Sequence, residues 1–404
     1  MIRRIAVVVS HPIQHFCPQY SSWTRLEGIE LKVFFASRHG LDPYVDKDFG
    51  RKVQWDGLVL DFPHEYLPGA SDRALTADID CDGLDTSLAG FAPDAVIVYG
   101  YMQPLQRRAI RWAKGNMRRL LMISDSELRT PRRSRFKQLA KKLLLPRIFK
   151  TVDAFLTVGD ANEQYYRTYG VDDRRLVRCS FPIDIASFDA MLAQREAARL
   201  ELRAAMGIPV DHLVLLMVGK LVHSKRQRDL VELANRSRQG QTLTVVLAGS
   251  GPDLDALQEL AHTKGVGGVV FAGFVNPRDL VAYYAAADVY VHCSEVEAHS
   301  LAISEAIYSG LPVLISDRCG SFGPSDDVRP GLNGFVYECG NVGMLADAIA
   351  HLANDRALAS RMGCFSREIG VANQALAHGV ALRQACAVID LMLTGVAQGT
   401  PHAR

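Results

Sequence analysis

The sequence predicts an α/β protein of two Rossmann-like, doubly wound parallel-sheet domains facing each other across a cleft. Three observations carry this. The chain has 404 residues, too many for one ordinary hydrophobic core, so two domains of roughly 150–200 residues each are expected. Short β-rich apolar runs alternate with longer helical patterns from end to end, the order expected of successive βαβ units. The apolar runs are near-continuous, which fits strands covered by helices on both faces.

In the first half the predicted strands lie at 5–10, 31–37, 94–99, 120–124, 154–158 and 176–179. The N-terminal Met1-Ile-Arg-Arg-Ile-Ala-Val-Val-Val-Ser10 has the look of a signal peptide. Its apolar stretch is short, however, and runs into His11-Pro12 instead of a small-residue cleavage site, so it reads as the first strand. Residues 45–67, with Trp55, Gly57 and Pro63, read as an irregular or hairpin insertion. In the second half the strands fall at 213–219, 243–249, 269–272, 289–293, 312–316 and 334–337, separated by amphipathic stretches such as 253–264 and 341–353. The boundary is placed near Phe181-Pro-Ile-Asp184, followed by a charged helix over 186–206. This gives a first domain over 1–184, a second over 185–373, and a helix over 374–394 that packs back across the first, with 395–404 as a tail. Ligands of such sheets bind beyond the carboxyl ends of the strands, where the strand order reverses.

With 48% hydrophobic and 22% charged residues, the composition is that of a soluble globular protein. No apolar run approaches the roughly 18–20 residues that span a bilayer. The formal net charge of +2 does not imply nucleic acid. Eight cysteines are scattered without a C-x-x-C pair or zinc-site spacing, which suits buried thiols in a reducing compartment and hence a cytoplasmic location.

The densest chemical signal is Ser294-Glu-Val-Glu297-Ala-His299-Ser300-Leu301-Ala-Ile-Ser-Glu305-Ala-Ile-Tyr-Ser-Gly310-Leu-Pro312. A strand ends, a loop follows, and a helix starts near Ser300, stopped by Gly310 and Pro312. The backbone N–H groups of His299, Ser300 and Leu301 then sit at a helix N-terminus, whose dipole favours a diphosphate. Glu305 is placed to accept hydrogen bonds from ribose hydroxyls, and Glu297 from hydroxyls of a sugar; solvated surface acids are the plain alternative. A second signal is Gly219-Lys220-Leu-Val-His-Ser-Lys225 after the first strand of the second half. Two ammonium groups there can neutralise a departing nucleoside diphosphate, although a basic turn has the same composition. Val245-Val-Leu-Ala-Gly249-Ser-Gly251 and Phe271-Ala-Gly273-Phe274-Val275 allow close backbone approach to a nucleotide, or are simply tight turns that need glycine.

Taken together and in this order, these four blocks resemble the donor half of retaining GT-B glycosyltransferases of the family-4 kind, with Glu297 and Glu305 matching that family's E-x7-E motif. The resemblance covers about 219–313. It implies that Lys220 and Lys225 contact the donor phosphates, that Glu305 binds the ribose and Glu297 the sugar, and that Gly249, Gly251 and the Phe274–Val275 backbone surround the base. It also implies retention of anomeric configuration through an oxocarbenium-like state, with the departing phosphate helping to deprotonate the acceptor. There are departures. Lys220 stands where arginine is usual, a point charge in place of a fork, and Ser300 stands where glycine is common. In the first half, Ser10-His11-Pro-Ile-Gln-His15 replaces the usual glycine-rich loop, and Ser124-Asp125-Ser126 replaces a histidine. His11, His15 and Asp125 are therefore candidates for acceptor or transition-state contacts, local capping being the alternative. No metal and no further cofactor are expected, since no D-x-D-type carboxylate cluster is evident and lysines with a helix terminus carry the charge.

Residues 129–150 hold nine basic residues and no acid, with Phe136, Leu139, Leu143, Leu144, Ile148 and Phe149 interleaved. An ordinary surface helix packing its apolar side on the sheet is the plainest reading. Peripheral docking on the inner face of an anionic membrane, which would suit a lipid-linked acceptor, is the alternative. The expected partners are thus a nucleotide-sugar donor and a glycan, lipid-linked or small-molecule acceptor. Rival readings on the same architecture are a nucleotide-sugar epimerase, a phosphorylase, or a non-catalytic nucleotide-sugar binder. A nicotinamide enzyme is disfavoured because Gly249-Ser-Gly251 lacks a third fingerprint glycine and a well-placed acid about 20 residues on.

Overall fold

The computed structural model describes residues 3–41, 44–46, 51–53, 59–71, 76–129, 135–236 and 242–397. The first domain contains β1 (Arg4–Val9), α1 (Cys17–Thr24), β2 (Glu30–Ser37), β3 (Tyr44–Asp46), β4 (Arg51–Val53), β5 (His64–Ser71), α2 (Leu84–Phe91), β6 (Ala95–Tyr99) and α3 (Pro104–Gly115). It continues with β7 (Arg119–Ser124), α4 (Arg135–Phe149), β8 (Ala154–Thr157), α5 (Asp160–Thr168) and β9 (Leu176–Arg178). The second runs through α6 (Ile185–Leu192), α7 (Arg195–Ala205), β10 (Leu213–Val218), α8 (Gln227–Arg236), β11 (Leu243–Ala248), α9 (Leu254–Thr263), β12 (Val269–Gly273), α10 (Pro277–Ala286), β13 (Val289–His292) and α11 (Leu301–Tyr308). β14 (Val313–Ser316), β15 (Gly334–Tyr337), α12 (Val342–Asn354), α13 (Arg356–Ala375) and α14 (Ala381–Ala397) complete the chain.

The strand orders are β5-β2-β1-β6-β7-β8-β9 and β12-β11-β10-β13-β14-β15, and every pair in both sheets is parallel. Each is the doubly wound arrangement, with order reversing beside β1 and beside β10. The alternation of side chains along a strand divides each domain into two cores. Ile5, Val7 and Val9 of β1 face α1 and α14, whereas Ala6 and Val8 face α2 and α3. Leu213, Leu215 and Met217 of β10 pack toward α8, α9 and α12, while Val214 and Leu216 meet α6, α10 and α11. This two-sheet architecture is the GT-B fold.

Three elements differ from expectation. β5 joins the first sheet as an edge strand inside and beyond the predicted insertion; Pro68 and Gly69 disguise it, and both are tolerated because only one edge is paired. The hairpin β3–β4 is present, and Trp55 and Gly57 lie outside the described residues. The helix expected over 186–206 breaks into α6 and α7. At the C-terminus, against the expectation that no apolar run approaches that length, the run Arg356–Met392 is long and apolar enough by length and composition to cross a membrane. In the structure it bends at 376–380: Met362 and Ile369 enter the second domain's cores, and Ala381, Leu382, Ala385, Cys386 and Ile389 enter the first's. Gln374 ties this return to the other crossover, accepting from the Ile183 N–H and donating to the Phe181 carbonyl, both at 2.9 Å. All eight cysteines are free thiols.

Candidate active site

The site is built where the second sheet reverses order, between the ends of β10 and β13. After β10 the chain turns at Gly219, whose φ of 146° suits glycine. The turn is braced by Gln227 Nε2, which donates to the Lys220 carbonyl at 2.8 Å, and by the Leu221 N–H donating to Ser250 O at 3.0 Å. A Cβ at Gly249 would overlap the Gly219 carbonyl, and one at Gly251 would overlap that of Leu221. These two glycines are therefore required by the neighbouring turn itself. Arg226 adopts φ 54°, its side chain bonds to Asp229 at 2.9 and 3.0 Å, and it does not line the cavity.

β13 delivers the carboxylates. Lys225 Nζ bonds directly to Glu297 Oε2, and His292 Nε2 lies 3.1 Å from the same oxygen. Tyr290 OH and Ser294 Oγ hold the His292 ring at 3.2 and 3.0 Å. Burial alone would raise the Glu297 pKa, but the His292 contact and the Lys225 ammonium overcome it and hold the group at about 2. Glu305, one turn into α11, has the opposite fate. Burial pushes it up to about 7, only partly opposed by the Tyr284 hydroxyl, which donates to Oε2 at 2.7 Å. The two acids thus meet a ligand in different states near neutral pH: one fixed as an anion, the other close to its titration point.

The start of α11 differs from expectation. The Ser300 N–H does not point freely into the cleft; it donates to Ser321 Oγ at 3.0 Å. The His299 side chain is buried, with Nε2 3.3 Å from Asp327 Oδ2 and Nδ1 4.0 Å from Asp326 Oδ1, and it stands edge-on to Phe181 at 5.0 Å. These three residues could hold a metal ion by spacing. Each carboxylate, however, already accepts two hydrogen bonds, Asp326 from the Asp160 and Asp327 N–H groups and Asp327 from Ser304 and Asn373.

A cavity of about 1310 Å³ joins the two domains. On the second domain's side it is lined by Gly219, Lys220, Lys225, Gly249, Phe274, Val275, Glu297, His299, Ser300, Leu301 and Glu305. Across from them stand His11 and His15, in the loop after β1, with His39, Arg25 and Asp61 further along. Burial lowers both His11 and His15 to about 4, with neighbouring histidines adding to the effect on His11, so both are neutral at physiological pH. Of the sequence candidates, Gly251 and Asp125 do not line this cavity, and Asp125 is exposed.

Sequence reasoning did not single out Tyr284, His292 or Glu127. The first two are buried aromatic residues of ordinary core type, recognisable only through their carboxylate partners. Glu127 is nearly buried, its Oε2 has no hydrogen-bond partner, and burial lifts its pKa to about 7. It sits one residue past the Ser124-Asp125-Ser126 segment. α4 also differs from the plainest reading: Leu145 and Phe149 face inward, but Leu139, Leu143 and Leu144 are 58%, 56% and 56% exposed. Arg132 and Arg133 lie outside the described residues, as do the side chains of Arg135, Phe136 and Lys137.

Residues 198–368 match the family "Glycosyl transferases group 1", a stretch that contains every second-domain residue named above as lining the cavity. A GDP-mannose-dependent alpha-(1-6)-phosphatidylinositol monomannoside mannosyltransferase of Mycobacterium tuberculosis is 34% identical over 181 residues, 43% of this chain and 46% of that protein. The alpha-monoglucosyldiacylglycerol synthase of Streptococcus pneumoniae is 31% identical over 134 residues, 33% of this chain and 30% of that one. The chain thus spans less than half the length of these curated relatives. Over the full chain the likeness is one of fold. A Rickettsia africae glycosyltransferase superposes with TM-score 0.72 at 13% identity, covering 99% of this chain and 100% of that one. Anabaena Alr3699/HepE, solved in complex with UDP, superposes with TM-score 0.67 at 14% identity over 98% and 100%.

Proposed function

We propose that this chain is a retaining glycosyltransferase that moves a sugar from a nucleotide donor, bound by the second domain, to a glycan or lipid-linked acceptor, bound by the first. The observation that carries the reading is the convergence of Lys220, Lys225, Glu297 and Glu305 on one cavity wall at the sheet's reversal point, facing two neutral histidines. The matched family and the names of the relatives support it.

In this reading Lys220 and Lys225 neutralise the diphosphate as the glycosidic bond breaks. Gly219, Gly249 and the backbone at Phe274 and Val275 border the base. Glu305 accepts hydrogen bonds from the ribose and is held as an anion once they form. Glu297, already ionised and fixed by Lys225 and His292, orients the sugar hydroxyls. A carboxylate so strongly stabilised is a poor nucleophile, which favours an oxocarbenium-like path in which the departing phosphate takes the acceptor proton. His11 and His15, being neutral, can each accept a hydrogen bond from the acceptor hydroxyl. The donor serves as substrate, and no further cofactor enters this scheme. The exposed leucines of α4 beside Lys142, Arg147 and Lys150 suit peripheral docking on an anionic membrane, on the cytoplasmic side, where free cysteines persist.

The test is to incubate the protein with UDP-, GDP-, TDP- and ADP-sugars, with and without a membrane lipid extract. A glycosylated product that needs both substrates and keeps the donor's anomeric configuration by NMR is expected. Sugar conversion from donor alone would indicate an epimerase, and an inverted product would overturn the retaining mechanism.

A further inference from the structure

One segment of the second domain, residues 319–327, is bonded on both of its sides. Toward the donor site, the Gly320 N–H donates to the Glu297 carbonyl at 2.9 Å, Glu297 and Cys319 form a parallel bridge, and Ser321 receives the Ser300 N–H. Asp326 and Asp327 flank the His299 ring. Toward the first domain, Arg129 donates to the Cys319 carbonyl at 2.9 Å and lies over the Phe322 ring at 4.5 Å. Asp160, at the start of α5, accepts from the Ser325 N–H at 2.9 Å and its hydroxyl at 2.6 Å, while its own N–H donates to Asp326 at 2.6 Å. Arg178 donates to the Ser325 carbonyl at 2.9 Å.

Glycines mark the same seam. A Cβ at Gly159 would collide with Asp326, one at Gly323 with Asp160, and one at Gly320 with the Ala298 carbonyl and, at 2.8 Å, with Glu127 Oε2. A seam with no room for an added Cβ at three positions unless a neighbour shifts, and which buries His299, Asp326 and Asp327 to 5% exposure or less, is fitted to one seating of the two domains.

We infer that residues 319–327 form a strap through which seating of the first domain sets the position of the donor loop 297–300, with His299 as its positioning residue. Asp326 receives the Asp160 N–H from the first domain and, with Asp327, flanks the buried imidazole at 4.0 and 3.3 Å, and Ser321 and Gly320 fix the backbone on either side of it. When the first domain leaves the strap, Glu297 and Ser300 lose their outer support, so a donor is held firmly only in the seated state. The inference depends on the glycosyltransferase reading only for this last consequence.

The test uses the ligand-free full-length chain and amide hydrogen exchange. Gly323→Ala obstructs seating against Asp160 without touching the cavity, Ser325→Ala removes only the hydroxyl's contacts with Asp160 and Arg178, and His299→Gln removes the imidazole. Exchange within 295–303 is expected to accelerate at least fivefold in Gly323→Ala and His299→Gln, less in Ser325→Ala, and no further in the double variant. Faster exchange confined to 158–162 and 319–327, with 295–303 at the wild-type rate, would overturn the strap. In parallel, affinity is measured for whichever of UDP, GDP, ADP and TDP most stabilises the wild type. A fivefold loss is expected in Gly323→Ala and His299→Gln and a smaller one in Ser325→Ala, and unchanged affinity would contradict the coupling. If none of the four binds the wild type, the donor reading fails while the exchange data still decide the strap.

Discussion

At the scale of single residues, the site separates two acids by their surroundings. Glu305 has its pKa raised from 4.5 to about 7, so its contribution to stability is complete below about pH 4.5 and is lost as pH rises through about 7. Glu305→Gln cannot lose it, and its thermal midpoint relative to wild type is therefore expected to climb between pH 5 and pH 8; a pH-independent difference would remove the buried carboxyl from the account. The same substitution is expected to weaken nucleotide binding about tenfold, the cost of hydrogen bonds to a charged acceptor. Lys225→Ala should cut kcat by about 10²–10³-fold and also lower the melting temperature modestly, since it leaves the largely buried Glu297 carboxylate with His292 as its closest remaining partner. A large loss of stability with kcat intact would make Lys225 structural. Lys225, Glu297 and Glu305 were legible in the sequence because strand ends and helix starts fix where such residues point. Tyr284 and His292 were not, because nothing in a core-type aromatic residue discloses that its polar atom meets a carboxylate until the fold brings them together.

At the scale of elements, the parallel strands were readable because burial on both faces leaves them continuously apolar. β5 escaped because an edge strand needs neither continuous apolar character nor freedom from proline. The glycine pair at 249 and 251 was seen, but its cause lies in the adjacent turn. Gly249→Ala should destabilise the protein by about 1–3 kcal/mol through overlap with the Gly219 backbone, as measured by denaturant unfolding; neutrality would mean the turn can yield. α4 makes a different claim. Its three outward leucines are mostly exposed, so replacing Leu139, Leu143 and Leu144 by serine should change stability by no more than about 0.5 kcal/mol each yet markedly reduce sedimentation with phosphatidylglycerol vesicles. Undiminished association would leave α4 an ordinary surface helix.

At the scale of the whole molecule, two doubly wound sheets meet so that one reversal point supplies cations and carboxylates and the other supplies neutral histidines. The pairing of domains was legible from length and repeated βα order. The seam at 319–327 was not, because its glycines and aspartates read as an ordinary polar loop until both domains close on it. In the proposed function, the wall formed by Lys220, Lys225, Glu297 and Glu305 binds a nucleoside diphosphate sugar. The most direct measurement is a thermal-shift titration of the wild-type chain and of Glu305→Ala with UDP-, GDP-, TDP- and ADP-sugars. A ligand at 100 times its Kd stabilises the native state by about 2.7 kcal/mol, so one base is expected to raise the wild-type melting temperature by several degrees and to do so far less in Glu305→Ala. Failure of all four to move the wild type, or an equal shift in the variant, would mean that this wall does not bind a nucleotide sugar through Glu305.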